Sequence, residues 1–207
     1  MPQSEFRDGL SAEDLREALG ECRIGRQIIV LRETASTNDF VFQMATPNVP
    51  EGLVIFAEHQ TAGRGQRSNR WESAADKGLW FSILLRPDIP VAESARLTNW
   101  AAETISKTIR EQLALRATIR LPNDVYINER KIAGVLVEMR VMKGGGYVAI
   151  VGIGLNVNQT SEEFSEEVRS RAISLAIATG SQIDRRGFAV ALLRNLDQTY
   201  REQFQPS

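Results

Sequence analysis

Leu53-Val54-Ile55-Phe56-Ala57-Glu58-His59-Gln60-Thr61-Ala62-Gly63-Arg64-Gly65-Gln66-Arg67-Ser68-Asn69-Arg70-Trp71 is an apolar β-type run that passes directly into a loop of glycines and arginines. A second continuous apolar run follows at 79–85, so the loop is expected to be an excursion between two buried strands. That order decides against two nucleotide folds. A dinucleotide fingerprint opens a helix, whereas here a strand is expected next and the last glycine is absent. A triphosphatase loop needs Gly-Lys-Ser or Gly-Lys-Thr after a four-residue gap, and neither follows. What remains is a loop whose glycines let backbone approach a ligand, while Arg64, Arg67 and Arg70 bring fixed charge and planar forks to an anionic group. On local sequence alone, a solvated surface loop is the plain alternative.

Working outward, Ser11 precedes an acidic turn and a terminal Gly20, which predicts one short helix. A β-rich run at 27–31 leads to Ser36-Thr37-Asn38-Asp39, a cluster of helix-capping types before apolar Phe40, Val41 and Met44. Downstream, Leu97, Trp100, Ala101, Thr104, Ile105, Ile109 and Leu113 recur at helical spacing. Pro122-Asn123-Asp124 forms a turn between short β-like segments, because Pro removes a ladder donor and Asn and Asp favour turns. Lys131-Ile132-Ala133-Gly134-Val135-Leu136-Val137-Glu138 and residues 147–157 are expected to pair as strands, turned by Gly144-Gly145-Gly146. Two helices, over about 161–179 and 184–204, should close the chain, the second with Phe188, Leu192, Leu193, Leu196, Tyr200 and Phe204 inward. With no repeat or linker, 207 residues fit one α/β domain.

Composition narrows the function classes. Apolar residues make up 43% and charged residues 25%, as in an ordinary globular protein, and Lys plus Arg number 25 against 26 for Asp plus Glu. No global field draws the chain to nucleic acid or an anionic membrane, so any anion site is local. No apolar run approaches the roughly 18 residues of a membrane span, and no signal peptide is evident, so a cytoplasmic protein is expected. Cys22 stands alone, which excludes an intramolecular disulfide and a cysteine metal cluster; His59 also stands alone and is expected to be structural.

Lys131 opens an otherwise apolar strand, where a buried ammonium needs an anionic partner; a phosphate or carboxylate ligand would supply it, and snorkelling to water is the alternative. Gly152 and Gly154 interrupt a buried strand, which signals a bulge or the close approach of another group. Asn123, Asp124 and Asn156 carry hard oxygens suited to hydrated magnesium or to hydroxyl groups, although each singly fits a turn.

In order, Ser36-Thr37-Asn38, Gln60-Thr61-Ala62-Gly63-Arg64-Gly65, Trp71, Pro122-Asn123-Asp124, Lys131 to Glu138 and Gly152-Ile153-Gly154-Leu155-Asn156 resemble the biotin protein ligases, from about Ile29 onward. The resemblance implies a mixed β-sheet flanked by helices, related to class II aminoacyl-tRNA synthetases. It implies an enzyme, a biotin–[acetyl-CoA carboxylase] ligase, that uses ATP with Mg2+ to make biotinyl-5′-AMP and then biotinylates a lysine of a biotin carboxyl carrier protein. By the same resemblance Ser36, Thr37, Asn38, Gln60, Arg64, Gly65, Gln66, Lys131, Gly134 and Gly154 would bind biotin, Arg67, Trp71, Asn123, Asp124, Lys131 and Asn156 the nucleotide, and Lys131 and Arg64 would be catalytic. Three departures stand out. Gln66, Ser68 and Asn69 lower the charge of the loop motif, Arg120-Leu121 replaces the family's Lys-Trp, and the chain ends near the family's catalytic-domain boundary. The expectation is therefore a single catalytic domain with a helical extension at 1–26 and neither a DNA-binding nor a C-terminal β-barrel domain; a homodimer through exposed strands stays open. A lipoyl or octanoyl transferase, or a non-catalytic biotin- or nucleotide-binding relative, are the competing readings.

Overall fold

The computed structural model describes residues 9–66, 69–142 and 146–205. β1 (Gln27–Thr34), β2 (Leu53–Gln60), β3 (Gly78–Leu85), β4 (Thr118–Arg120), β5 (Asp124–Ile127), β6 (Arg130–Val141) and β7 (Tyr147–Asn156) form one seven-stranded sheet, ordered β1-β2-β3-β7-β6-β5-β4. Only β1 and β2 pair in parallel; the other neighbours are antiparallel, so the sheet is mixed, as expected. β3 is buried along its whole length and β2 along its first six residues. Both faces of these central strands are covered, which is why they read as continuous apolar runs instead of alternating ones.

One face carries the main core. α1 (Ala12–Leu19), α3 (Ala95–Leu113) and α6 (Arg185–Phe204) pack there, with Leu15, Trp100, Ile105, Leu193 and Tyr200 against Val54, Phe56, Phe81, Ile83, Val135, Val151 and Ile153. The six α6 residues expected inward are all buried. Ser11 caps α1 by accepting from the Asp14 backbone N–H at 3.3 Å. No helix among the described residues is long and apolar enough to cross a membrane.

The opposite face is covered in part. α2 (Thr37–Met44) packs on β2, β3 and β7, placing Val41 in a second cluster with Ile55, Leu84 and Ile150. Beside it, cross-strand register aligns Ser82, Gly152 and Leu136 in one row and Trp80, Gly154, Gly134 and Asp124 in the next. Residues in register share a face, so these rows form the floor of whatever lies next to α2.

The expected helix over 161–179 is a correction. That segment folds as a short 3-10 turn (Ser161–Glu163), α4 (Glu166–Arg169) and α5 (Leu175–Thr179). The backbone between α4 and α5 is spent elsewhere: Lys131 N–H donates to the Arg171 carbonyl at 2.7 Å, and Ile173 N–H to the Lys131 carbonyl at 2.9 Å. A residue whose amide and carbonyl neighbours bond a strand cannot also close helical turns. At the hairpin end, Met142 N–H bonds the Gly146 carbonyl and Gly146 takes φ 80°, while Gly144 and Gly145 lie outside the described residues.

Candidate functional site

The open part of the second face is a narrow cleft open to solvent. Its walls come from the N-terminus of α2, the end of β2, the arginine–glycine loop, the turn before β5, and β6 and β7. Ser36, Thr37, Asn38, Gln60, Arg64, Gly65, Trp71, Asn123, Lys131, Gly134 and Gly154, eleven of the expected site residues, line it together.

At the α2 end a polar pocket is built by hydrogen bonds. Ser36 precedes the helix but its side chain makes no capping bond. Instead Gln60 Oε1 accepts from Thr37 N–H at 2.8 Å and from Thr37 Oγ1 at 3.1 Å. A helix start leaves amide donors unmet, and a side chain from β2 satisfies one here. With Oε1 engaged twice, the Gln60 amide presents Nε2 as a donor; this orientation follows from the network. Ser82 Oγ lies 2.7 Å from Thr37 Oγ1 and 2.6 Å from Asn38 Oδ1. Asn38 Nδ2 in turn donates to Glu138 Oε2 at 2.7 Å. Gly152 makes this possible, since a Cβ there would sit 2.2 Å from Asn38 Oδ1.

At the other end Lys131 Nζ lies 2.7 Å from Asp124 Oδ1 and 5.3 Å from the centre of the Trp71 ring. The strand lysine thus has an anionic partner within the chain. Trp71 packs against Gly154 and Gly134: a Cβ on Gly154 would approach its indole to 2.4 Å and one on Gly134 to 2.9 Å. The close approach signalled by Gly152 and Gly154 is therefore made by Asn38 and Trp71 of this chain. The Trp71 Nε1–H is buried and has no partner among the described residues.

The loop between these ends folds back on itself. Trp71 N–H bonds the Gly63 carbonyl at 2.9 Å, Gly65 N–H the Asn69 carbonyl at 2.7 Å, and Arg70 reaches the Thr61 carbonyl at 3.2 Å. Arg64 Nη2 contacts Asp39 Oδ1 at 2.8 Å and Glu138 Oε2 at 3.0 Å. Gln66 belongs to the loop but does not line the cleft, and Arg67 lies outside the described residues. Asn123 lines the cleft while donating to the Val135 carbonyl at 3.1 Å. Asn156 is buried beyond it, donating to the Ile173 carbonyl and accepting from Gln159 Nε2, both at 3.0 Å.

Three contributors escaped the sequence: Ser82, Asp39 and Glu138. Ser82 left a signal, as the lone hydroxyl in the apolar run Leu79-Trp80-Phe81-Ser82-Ile83-Leu84-Leu85; Asp39 stood in the sequence only as a helix-capping type and Glu138 only as the last residue of a motif strand. Among the described residues no group of three or more His, Cys, Asp or Glu could hold a metal ion. Asp124, the carboxylate at the cation end, is committed to Lys131. Such a donor set suits Mg2+ arriving on nucleotide phosphates better than a resident ion. The cleft can hold an uncharged polar group at the α2 end and an anion against Lys131 at the other, with Arg64 reaching in from the loop between them.

Comparison with known proteins accords with this chemistry. A model of the Biotin/lipoate A/B protein ligase family matches residues 30–158. The bifunctional ligase/repressor BirA of Bacillus subtilis is 36% identical over 202 residues, which are 98% of this chain and 59% of that protein. This chain thus spans about three fifths of that relative. The biotin–[acetyl-CoA-carboxylase] ligase of Mycobacterium tuberculosis is 31% identical, over 94% of this chain and 72% of that protein. Among solved structures, the biotin protein ligase of Aquifex aeolicus in complex with biotin and ATP superposes with a TM-score of 0.73 at 32% identity, covering 86% of this chain and 73% of that one.

Proposed function

The chain belongs to the biotin/lipoate A/B protein ligase family, and from that premise we propose that it activates biotin with ATP and transfers it to a lysine of a biotin carboxyl carrier protein. The single observation that carries the reading is the two-ended cleft, with Thr37, Asn38 and Gln60 at one end, Lys131 at the other, and Arg64 on the loop between them, held through Glu138 beside Asn38. Biotin has the same two ends. Its ureido ring presents two N–H donors and a carbonyl, and its side chain ends in a carboxylate. The Gln60 Nε2–H fits the ureido carbonyl, and the hydroxyls of Ser36 and Thr37 fit its N–H groups. A lipoyl dithiolane has no groups to pair with these, and buried polar groups left unpaired cost affinity.

In the first step a biotin carboxylate oxygen attacks the α-phosphorus of ATP. The new O–P bond forms as the bond to the bridging oxygen breaks, and pyrophosphate leaves with the electron pair. Two anions must meet and negative charge grows on the phosphoryl oxygens. Lys131 and Arg64 offset that repulsion and stabilise the developing charge from fixed positions. Asp124 keeps the Lys131 ammonium aimed along the Trp71 face, while Trp71 and Asn123 line the nucleotide side. Gly65 brings backbone up to the acid. In the second step a neutral acceptor amine attacks the acyl carbon; the amide forms, the acyl–oxygen bond breaks, AMP leaves and the amine proton goes to solvent. No protein nucleophile is required. Mg2+ enters with ATP as part of that substrate.

The test offers the protein MgATP with biotin or with lipoate and follows pyrophosphate. Release with biotin, at least about 10²-fold faster than with lipoate as expected when a hydrogen-bonding site meets an analogue lacking those groups, supports the reading. Equal release with both acids, or release with lipoate alone, contradicts it.

A further inference from the structure

Resting on that reading, we propose that Glu138 is a positioning residue for acid activation: its carboxylate sets the Arg64 guanidinium against the substrate while bonding the floor of the head pocket. The geometry is a shared oxygen. Glu138 Oε2 accepts from Asn38 Nδ2 at 2.7 Å and from Arg64 Nη2 at 3.0 Å, so one atom joins the buried pocket wall to the arginine–glycine loop. Glu138 Oε1 accepts from Arg140 Nη2 at 2.7 Å, and Arg140 lies over the Phe42 ring at 5.0 Å. Asp39 Oδ1 completes the arrangement, 2.8 Å from Arg64 Nη2 and 3.6 Å from Arg140 Nη2. Two arginines and two carboxylates alternate, so the cluster carries no net charge to attract or repel substrate by itself.

What it supplies is direction. A guanidinium is planar and rigid, so tying one nitrogen to two carboxylates from α2 and β6 sets the plane of the whole group. Arg64 is tied only through Nη2; its Nη1 and Nε have no partner among the described residues, and the residue lines the cleft. Those N–H groups stay available for an incoming carboxylate. The four side chains are between 22 and 43% exposed, and pairs at such exposure contribute little to folding. Loss of Glu138 should therefore register in turnover, with little change in stability.

The experiment is a double-mutant cycle of wild type, Glu138→Gln, Arg64→Ala and the double variant. It measures kcat/KM for biotin in pyrophosphate release and biotin affinity by calorimetry, which covers a variant too slow to turn over. Glu138→Gln should lower kcat/KM at least about tenfold while moving the melting temperature by less than about 3 °C. In the Arg64→Ala background the same change should cost less than about threefold. Equal costs in both backgrounds would assign Glu138 to Asn38 alone and overturn the inference. A wild type that neither binds biotin nor releases pyrophosphate would overturn the functional reading and the inference with it, so the two failures are distinguishable.

Discussion

Lys131 is the residue on which the proposed chemistry turns, because it is the ammonium that β6 delivers to the cleft and that Asp124 holds at 2.7 Å. Lys131→Ala should slow adenylate formation by about 10²–10³-fold, the usual loss when one preorganised charge partner is removed, measured as pyrophosphate release with biotin in excess. Unchanged turnover would reject its role. Gly154 gives a second prediction at this scale. A Cβ there meets the Trp71 indole at 2.4 Å, so Gly154→Ala should displace Trp71, destabilise the fold by about 1–3 kcal/mol as overpacking does, and lower activity. Denaturant unfolding beside a turnover assay checks both. Lys131 and the glycines were legible as residues that need a partner. The partner's identity was not, since Asp124 and Trp71 reach them through strand register and loop folding that no local pattern encodes.

Among the elements, the loop, β6 and β7 were legible because their apolar runs and glycines stand out against neighbouring sequence. The segment at 161–179 was not, since its apolar spacing suits one helix. Signals for a break were nonetheless present: Thr160 and Glu163 form a capping box, and Ser174 accepts from the Ile177 N–H at 3.1 Å. The backbone bonds to Lys131 then decide the outcome, and these are long-range. Elsewhere Gly52 joins three strands at their ends, its N–H bonding the Leu84 carbonyl at 2.7 Å and its carbonyl accepting from the Gly25 N–H at 2.9 Å. Its φ is +92° and a Cβ would lie 2.0 Å from the Arg23 carbonyl oxygen. Gly52→Ala should cost more than about 1 kcal/mol, seen as a lower denaturation midpoint at unchanged slope. A neutral or stabilising result would show that this corner is not needed.

For the molecule as a whole, the two faces of the sheet divide the work: α1, α3 and α6 hold the fold, and α2 leaves the cleft. The buried pair between Arg185 and Glu58, bonded at 2.9 and 3.1 Å, ties α6 to β2 beneath that sheet. Its members are 127 positions apart, which is why sequence alone gave no hint of it. Glu58→Ala would leave a buried guanidinium without this carboxylate and should cost about 3–5 kcal/mol, read by chemical denaturation. Tyr200 adds a pH signature. Burial, then the nearby Glu51 carboxylate, pushes its hydroxyl above the ordinary value of 10. A raised folded-state pKa contributes stability below the unfolded value and loses it as pH climbs beyond it. The Tyr200 contribution should therefore be constant through neutral pH and be lost above 10, with a shallower alkaline fall of stability in Tyr200→Phe; identical profiles would remove Tyr200 as the cause. The central claim, biotin activation and transfer by one cleft, is tested most directly by intact mass of a biotin carboxyl carrier domain incubated with this protein, biotin and MgATP. The account predicts a gain of one biotinyl group on its target lysine, dependent on ATP and lost with Lys131→Ala; an unmodified carrier, or one modified equally by the variant, would contradict it.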